Sequence, residues 1–254
     1  MQRVELVSSP ANPLVKDVRR AVSRGELTGD GLWIAEGFHL LDEALRSDCE
    51  VRAVVVSESA REKVDVAARV RVVVLPDQLF QSIAATETTQ GVIALVKPPE
   101  WRIDELFGAR SLVAVLDGLQ DPGNAGAIVR AAEAFGATGV VFVKGSASPF
   151  HPKTVRGSAG SLFRVPFVGG MEAGTAVEAL REQGVEVYAA MPSGAGMADF
   201  TRACAIIVGN EGRGVSGEFR RAGRDVGIPT VGVESLNAAV AASILLYEAR
   251  RQRS

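Results

Sequence analysis

The chain has 254 residues, 47% hydrophobic and 23% charged, with 28 Lys and Arg against 30 Asp and Glu for a formal net charge of -2. That length can bury a proper core as one large or two modest domains, and the balance excludes disordered and fibrous classes. The near-zero net charge leans against a nucleic-acid-binding domain, which usually carries a basic excess.

In chain order, the first thirty residues carry Arg3, Lys16, Arg19, Arg20 and Arg24 on a basic amphipathic pattern. Two readings stand for it, a solvated helix face or a surface that touches a polyanion. Apolar β-branched runs follow at 52–56 (RAVVV), 71–75 (RVVVL) and 92–96 (VIALV), with amphipathic stretches at 38–46, 59–69 and 77–84. Strands alternating with helices predict a small α/β domain. The pair Pro98-Pro99 continues neither a strand nor a helix, so a domain boundary is expected there, giving domains 1–98 and 99–254.

Beyond the boundary the alternation strengthens. Buried strands are expected at 112–116, 139–143, 185–190 and 203–208, and helices at 125–135, 175–183, 217–222 and 237–250. Near-continuous apolar strands separated by helices predict a parallel sheet covered on both faces, whose ligand lies beyond the carboxyl ends of the strands. Cys49 and Cys204 stand far apart and the chain has two histidines, so neither a disulfide framework nor a metal site is expected. The longest apolar run, 238–246, is interrupted by Ser243 and is too short for a bilayer, which makes a cytoplasmic protein the expectation.

Three loops after strands stand out. The first, Asp117-Gly118-Leu119-Gln120-Asp121-Pro122-Gly123-Asn124, leads into a helix, with Asn124 where an N-cap belongs and Arg130 further along. Arg130 is either a surface partner of Glu133 or the one long polar group leaving a helix start built of Ala and Gly. The second, Gly209-Asn210-Glu211-Gly212-Arg213-Gly214, has three glycines that permit close approach of a ligand or a plain tight turn, and Glu211 is expected to be buried among them. It matches neither a P-loop nor the dinucleotide fingerprint. The third runs from Gly227-Ile228-Pro229 to Ser235-Leu236-Asn237 before an Ala-rich helix, where Ser235 or Asn237 also fits an N-cap. That helix is apolar nearly all round and must be buried on more than one side, which suits an intersubunit contact.

The order Asn-x-Gly-x-x-x-Arg, then Gly-Asn-Glu-Gly-x-Gly, then Ile-Pro followed by Ser-Leu-Asn resembles the SpoU/TrmH family of SPOUT-superfamily RNA 2'-O-ribose methyltransferases over residues 112–250. The preceding part, with its Ser9-Pro10-Ala11-Asn12-Pro13 opening and Ala35-Glu36-Gly37, resembles the L30e-like substrate-binding domain often fused to that family. The resemblance implies a homodimer binding S-adenosylmethionine (AdoMet) in a deep C-terminal trefoil knot and methylating structured RNA, ribosomal RNA ahead of transfer RNA. It implies Asn124, Arg130, Glu211, Ser235 and Asn237 as catalytic or RNA-positioning residues. For the cofactor it implies Met191, Gly209, Asn210, Ile228, Leu236 and Asn237, with 191–194 as a further wall.

Between Glu133 and Glu172 there is no acidic residue, while Lys144, Lys153, Arg156 and Arg164 fall in that span. Lys153 and Arg156, with Lys16, Arg19 and Arg20, are therefore the expected RNA-binding residues, since phosphates are held by such charge. A non-enzymatic RNA-binding module and a nucleotide-binding α/β enzyme are the competing readings, and the missing phosphate-loop signals weigh against the second.

Overall fold

The computed structural model describes residues 4–192, 196 and 198–254. Arg3, and Ser193 and Gly194 of the expected 191–194 wall, lie outside the described residues. In chain order the elements are β1 (Val4–Leu6), α1 (Pro13–Arg24), β2 (Trp33–Glu36), α2 (Phe38–Arg46), β3 (Glu50–Ser57), β4 (Arg71–Leu75), α3 (Asp77–Gln81), β5 (Val92–Lys97), β6 (Leu112–Asp117), α4 (Pro122–Ala134), β7 (Gly139–Val143), α5 (Pro152–Gly157), β8 (Phe167–Met171), α6 (Ala173–Glu182), β9 (Glu186–Ala190), β10 (Cys204–Gly209), α7 (Gly217–Ala222), β11 (Arg224–Val226) and α8 (Ala238–Gln252). They gather into two units, Met1–Glu100 with Phe150–Arg164, and Trp101–Pro149 with Val165–Ser254. The chain thus enters the second unit, returns to the first for α5, and re-enters the second. A single boundary at the Pro98-Pro99 pair does not describe this excursion, because α5 buries its apolar residues against β2.

In the first unit the sheet runs β1-β4-β3-β5-β2. The valines of β3 and β4 pair in parallel, whereas β5 runs antiparallel to β3 and β2 antiparallel to β5. β2 escaped the sequence reading, for Trp33-Ile34-Ala35-Glu36 is short, yet all four of its residues are buried. Trp33 stacks against Phe150 and Phe163 at 6.0 and 5.7 Å between ring centroids, which fastens the returning segment. The stretch 59–69 forms a 3-10 turn over Glu58–Lys63 rather than the expected helix, and only Ala60 of that turn is buried. Too few apolar positions at helical spacing are available to hold a longer helix down.

The helix α1 shows how its sequence sets its limits. Asn12 caps it by accepting from the Leu14 N–H at 2.9 Å, and Pro13 occupies the first turn, where its missing N–H costs nothing. Gly25 ends it in the left-handed region at φ 66°. Val15, Val18 and Ala21 face the core.

In the second unit all six strands are parallel, in the order β11-β9-β10-β6-β7-β8. The residues of β6, β7 and β10 are buried almost throughout, as the centre of a sheet covered on both faces requires, whereas the edge strands β8 and β11 are partly exposed. Helices α4 and α8 pack on one another and on β6 and β10, while α6 and α7 pack together with β7 and β9. No helix among the described residues is long and apolar enough to cross a membrane.

Candidate active site

The chain begins this sheet at β6, winds outward through β7 and β8, and then places β10 against the other side of β6. Such a reversal of strand order opens a crevice at the carboxyl ends of the two neighbouring strands. The loops after β6 and β10 both leave from that point, and the segment after β11 joins them.

The first loop departs from the sequence expectation in a useful way. Helix α4 starts at Pro122, and its N-cap is Asp121, whose carboxylate accepts from the Asn124 N–H at 2.7 Å. An aspartate before a proline is a better helix start than the later Asn124, because the proline's missing N–H is one of the orphans anyway. Asn124 is thereby released from capping. Its Nδ2 donates to Glu211 Oε1 at 3.2 Å, and its Oδ1 accepts from Asn237 Nδ2 at 3.1 Å.

Asn237 is both the cap and a member of this network. Its Oδ1 accepts from the N–H groups of Ala239 and Val240 at 2.9 and 3.2 Å, which fixes the amide so that Nδ2 can only donate toward Asn124. The result is a one-directional chain of hydrogen bonds from the N-terminus of α8 through Asn237 and Asn124 to the Glu211 carboxylate. Each donor in the chain points toward the carboxylate.

The glycine-rich loop is a closed turn. Asn210 and Gly214 bridge it at 3.1 and 2.9 Å, and Asn210 Oδ1 accepts from the N–H groups of Gly212 and Arg213. Asn210 Nδ2 donates to the Gly118 carbonyl at 2.9 Å, tying this loop to the first. Gly209 is required by close approach, for a Cβ there would fall 2.2 Å from the carbonyl carbon of Gly214. Glu211 at the turn's tip is exposed, contrary to the burial expected from its glycine neighbours. Those glycines make the turn tight but supply no side chains to cover it.

Asp117, at the end of β6, escaped the sequence reading. Its carboxylate is only 6% exposed and accepts from the Ser216 N–H at 2.6 Å, which pins the far end of the Glu211 loop. The signal was a single acid closing an otherwise apolar strand.

The second and third loops enclose a cavity of about 550 Å³. Met191, Gly209, Asn210, Ile228, Leu236 and Asn237, the six residues expected at the cofactor, all line it, and so do Glu211 and Ser235. Val208, Val226 and Leu245 complete its apolar walls, and Arg213, Thr230 and Glu234 add polar groups that sequence reasoning passed over. Size and lining fit an AdoMet-like molecule, with apolar surface for a ring, backbone groups at Gly209, Ile228 and Leu236, and carboxylates for a cationic centre. Arg130 is not brought into this cluster. It lies exposed on α4, six residues beyond Asn124 and about 9 Å along the axis at 1.5 Å per residue. Among the described residues no group of three or more His, Cys, Asp and Glu could hold a metal ion.

The residues expected to meet RNA lie in the first unit, Lys16, Arg19 and Arg20 on α1 and Lys153 and Arg156 on α5. Two of the five are engaged already. Arg19 donates to Ser82, and Arg20 pairs with Asp17 at 2.7 Å and with Glu26 at 3.7 Å.

Comparison with known proteins agrees with this geometry. Residues 111–247 match the SpoU rRNA Methylase family, and residues 12–94 match the MRM3-like substrate binding domain. The chain is 35% identical over 249 residues to a 23S rRNA (guanosine(2553)-2'-O)-methyltransferase of Bacillus subtilis (strain 168), covering 96% of this chain and 98% of that one. It is 32% identical over 248 residues to a 23S rRNA (uridine(2479)-2'-O)-methyltransferase of Streptomyces viridochromogenes, covering 91% and 86%. Among solved structures, the SpoU methyltransferase AviRb of S. viridochromogenes in complex with AdoMet superposes with a TM-score of 0.83 at 28% identity, over 95% of this chain and 98% of that one. An AdoMet-bound rRNA methyltransferase of Sinorhizobium meliloti gives 0.84 at 29% identity, over 98% of each. On the family match over residues 111–247 and 35% identity to a relative covered almost end to end, the chain belongs to the SpoU rRNA methylase family.

Proposed function

We propose that the protein methylates a ribose 2'-hydroxyl in ribosomal RNA with AdoMet as methyl donor. The observation that carries this reading is the Asn237–Asn124–Glu211 network standing at the mouth of a cavity that fits AdoMet. When bound, AdoMet supplies an electrophilic methyl group on a sulfonium. Met191, Gly209, Asn210, Ile228 and Leu236 hold the cofactor, largely through backbone groups and apolar contact. Glu211 and Asn124 set the geometry of the reacting ribose, with Ser235 and Asn237 beside them, and Arg130 binds the RNA phosphate or the developing alkoxide. A guanidinium keeps its proton below a pH of about 12, so Arg130 acts through charge rather than as a base. Holding donor and acceptor in line lowers the barrier by roughly 7–11 kcal/mol in favourable cases.

The finer parts of the reading follow the family. The catalytic unit forms a trefoil knot around the cofactor, the first unit is an L30e-like RNA reader, and two copies associate. Supporting association, Val240 and Tyr247 are 48% and 53% exposed on α8 and share a face with the half-buried Ile244. The enzyme works in the cytoplasm, where its RNA is. Ribosomal RNA is preferred to transfer RNA because the B. subtilis and S. viridochromogenes relatives, which match 96% and 91% of the chain, are both named for 23S rRNA.

The deciding experiment maps 2'-O-methyl groups, by resistance to alkaline cleavage, in RNA from cells with and without the gene. One ribosomal position losing its methyl group is the expected result. A changed position in transfer RNA would transfer the reading to that substrate, and no changed position would refute it. A calorimetric titration with AdoMet separates the enzyme from a non-enzymatic RNA-binding module, which would show no heat of binding.

A further inference from the structure

Helix α5 comes from the sequence of the catalytic half but is built into the first unit. There its N-cap residue meets the C-cap residue of α1. Gly25, the C-cap of α1, has no room for a side chain, since a Cβ there would fall 2.2 Å from His151 Cδ2. His151 is the N-cap of α5, its Nδ1 accepting from the Lys153 N–H at 3.0 Å. Two helices more than a hundred residues apart in sequence are therefore joined end to end across an imidazole ring lying on a glycine.

The join places cations of both helices in one neighbourhood. On α1, Lys16, Arg20 and Arg24 are spaced i, i+4, i+8 on the side opposite the buried Val15 and Val18, so they form a row that ends beside Gly25. On α5, Lys153 and Arg156 are exposed at i, i+3, opposite the buried Thr154 and Val155. The acids nearby are spent on Arg20, which holds Asp17 and Glu26. The other basic residues of the acid-free stretch are also engaged, Lys144 with Glu172 and Arg164 with Glu43. Among the described residues no acid pairs with Lys16, Arg24, Lys153 or Arg156.

Resting on the methyltransferase reading above, we propose that Lys16 and Arg24 of α1 and Lys153 and Arg156 of α5 form one continuous phosphate-binding strip, joined at the Gly25–His151 contact, that grips the backbone of the RNA substrate. Four exposed ammonium and guanidinium groups left without acids carry an electrostatic cost that a row of phosphates relieves, with release of counterions from the nucleic acid. Contacts to phosphate fix position without reading sequence, so the strip holds RNA in register and leaves sequence discrimination to other residues. Arg24 enters this surface only because α5 folds back.

The test is the salt dependence of binding between the full-length protein and an unmodified 23S rRNA transcript, for wild type and for Arg24→Ala, Lys153→Ala, Arg156→Ala and the triple variant. Each single change is expected to flatten the plot of log affinity against log salt by about 0.7–0.9, so the affinity lost between 50 and 200 mM salt shrinks roughly 2.6- to 3.5-fold per cation. Arg24→Lys and Lys153→Arg should keep the wild-type slope, which separates charge from packing, and an unchanged unfolding midpoint shows that the variants fold. Slopes that fall for α5 variants but not for Arg24→Ala would overturn the joint strip, as would slopes that fall for none. A wild-type chain that binds AdoMet yet shows no salt-dependent affinity for RNA removes the strip and leaves the methyltransferase reading standing. Absence of AdoMet binding would instead fail the reading itself.

Discussion

Asn237 carries two duties with one amide. As the N-cap of α8 it satisfies two backbone donors, and as a donor it orients Asn124 toward Glu211. Replacing it by Ala should cost about 1 kcal/mol of stability through the lost cap. It should depress methyl transfer well beyond what that loss explains, because Asn124 would be free to rotate; thermal unfolding and single-turnover methylation measure the two effects separately. Arg130 presents the opposite case, a residue marked by sequence that touches none of the others in the folded chain. Arg130→Ala is expected to abolish methyl transfer while leaving AdoMet affinity, measured by calorimetry, within a few-fold. Retained turnover in that variant would take Arg130 out of the mechanism. Cys204 lies buried at the start of β10. Burial pushes its thiol up to about 11 despite the Arg253 guanidinium 3.2 Å away, so at pH 8 it should alkylate far more slowly than an exposed thiol.

Among the elements, the decisive one is the loop from Gly209 to Ser216. Its base is fixed at one end by Asn210 on the Gly118 carbonyl and at the other by Asp117 on the Ser216 N–H. Removing the acceptor with Asp117→Ala leaves a buried N–H unpaired at a cost of roughly 1–3 kcal/mol. Loosening the loop should then weaken AdoMet binding by about tenfold, equivalent to some 1.4 kcal/mol. Asp117→Asn keeps an acceptor oxygen and should retain most of the affinity, an outcome that calorimetry with both variants decides. The sequence showed this loop, through its glycines, and the two others that meet it. It misplaced the details that depend on neighbours. For Asn124 the sequence leaves both a cap and a site residue open because the two share a chemistry, and only the geometry of Asp121 and Pro122 separates them. Glu211 was expected inside because glycines imply close packing, yet here they pack against their own backbone.

At the scale of the whole molecule, the exposed face of α8 is the surface assigned above to the proposed dimer. Val240, Ile244 and Tyr247 lie at i, i+4 and i+7, with the Tyr247 ring packed edge-on against Phe135, the C-cap of α4, at 5.6 Å. Val240→Glu with Tyr247→Glu places two charges on that face and should shift the protein from dimer to monomer in light scattering, with little change in the fold of the monomer. A wild-type protein that is monomeric at micromolar concentration would contradict the dimer.

The apolar strand runs, the glycine-rich loops and the Ser-Leu-Asn start of the last helix were enough to determine an α/β sheet and the loops that line the cavity at its strand ends. These are local signals, set by backbone conformation and hydrophobic period within a dozen residues. Net charge was misleading in the same local sense, since a value of -2 averaged over 254 residues hides an acid-free stretch. What only the tertiary structure decided is which distant residues meet: Asn124 with Glu211 and Asn237, Asp117 with Ser216, and Gly25 with His151. The physical reason is that each of those contacts is made by chain segments brought together by packing of the core, and no spacing along the sequence encodes where a folded-back helix will lie.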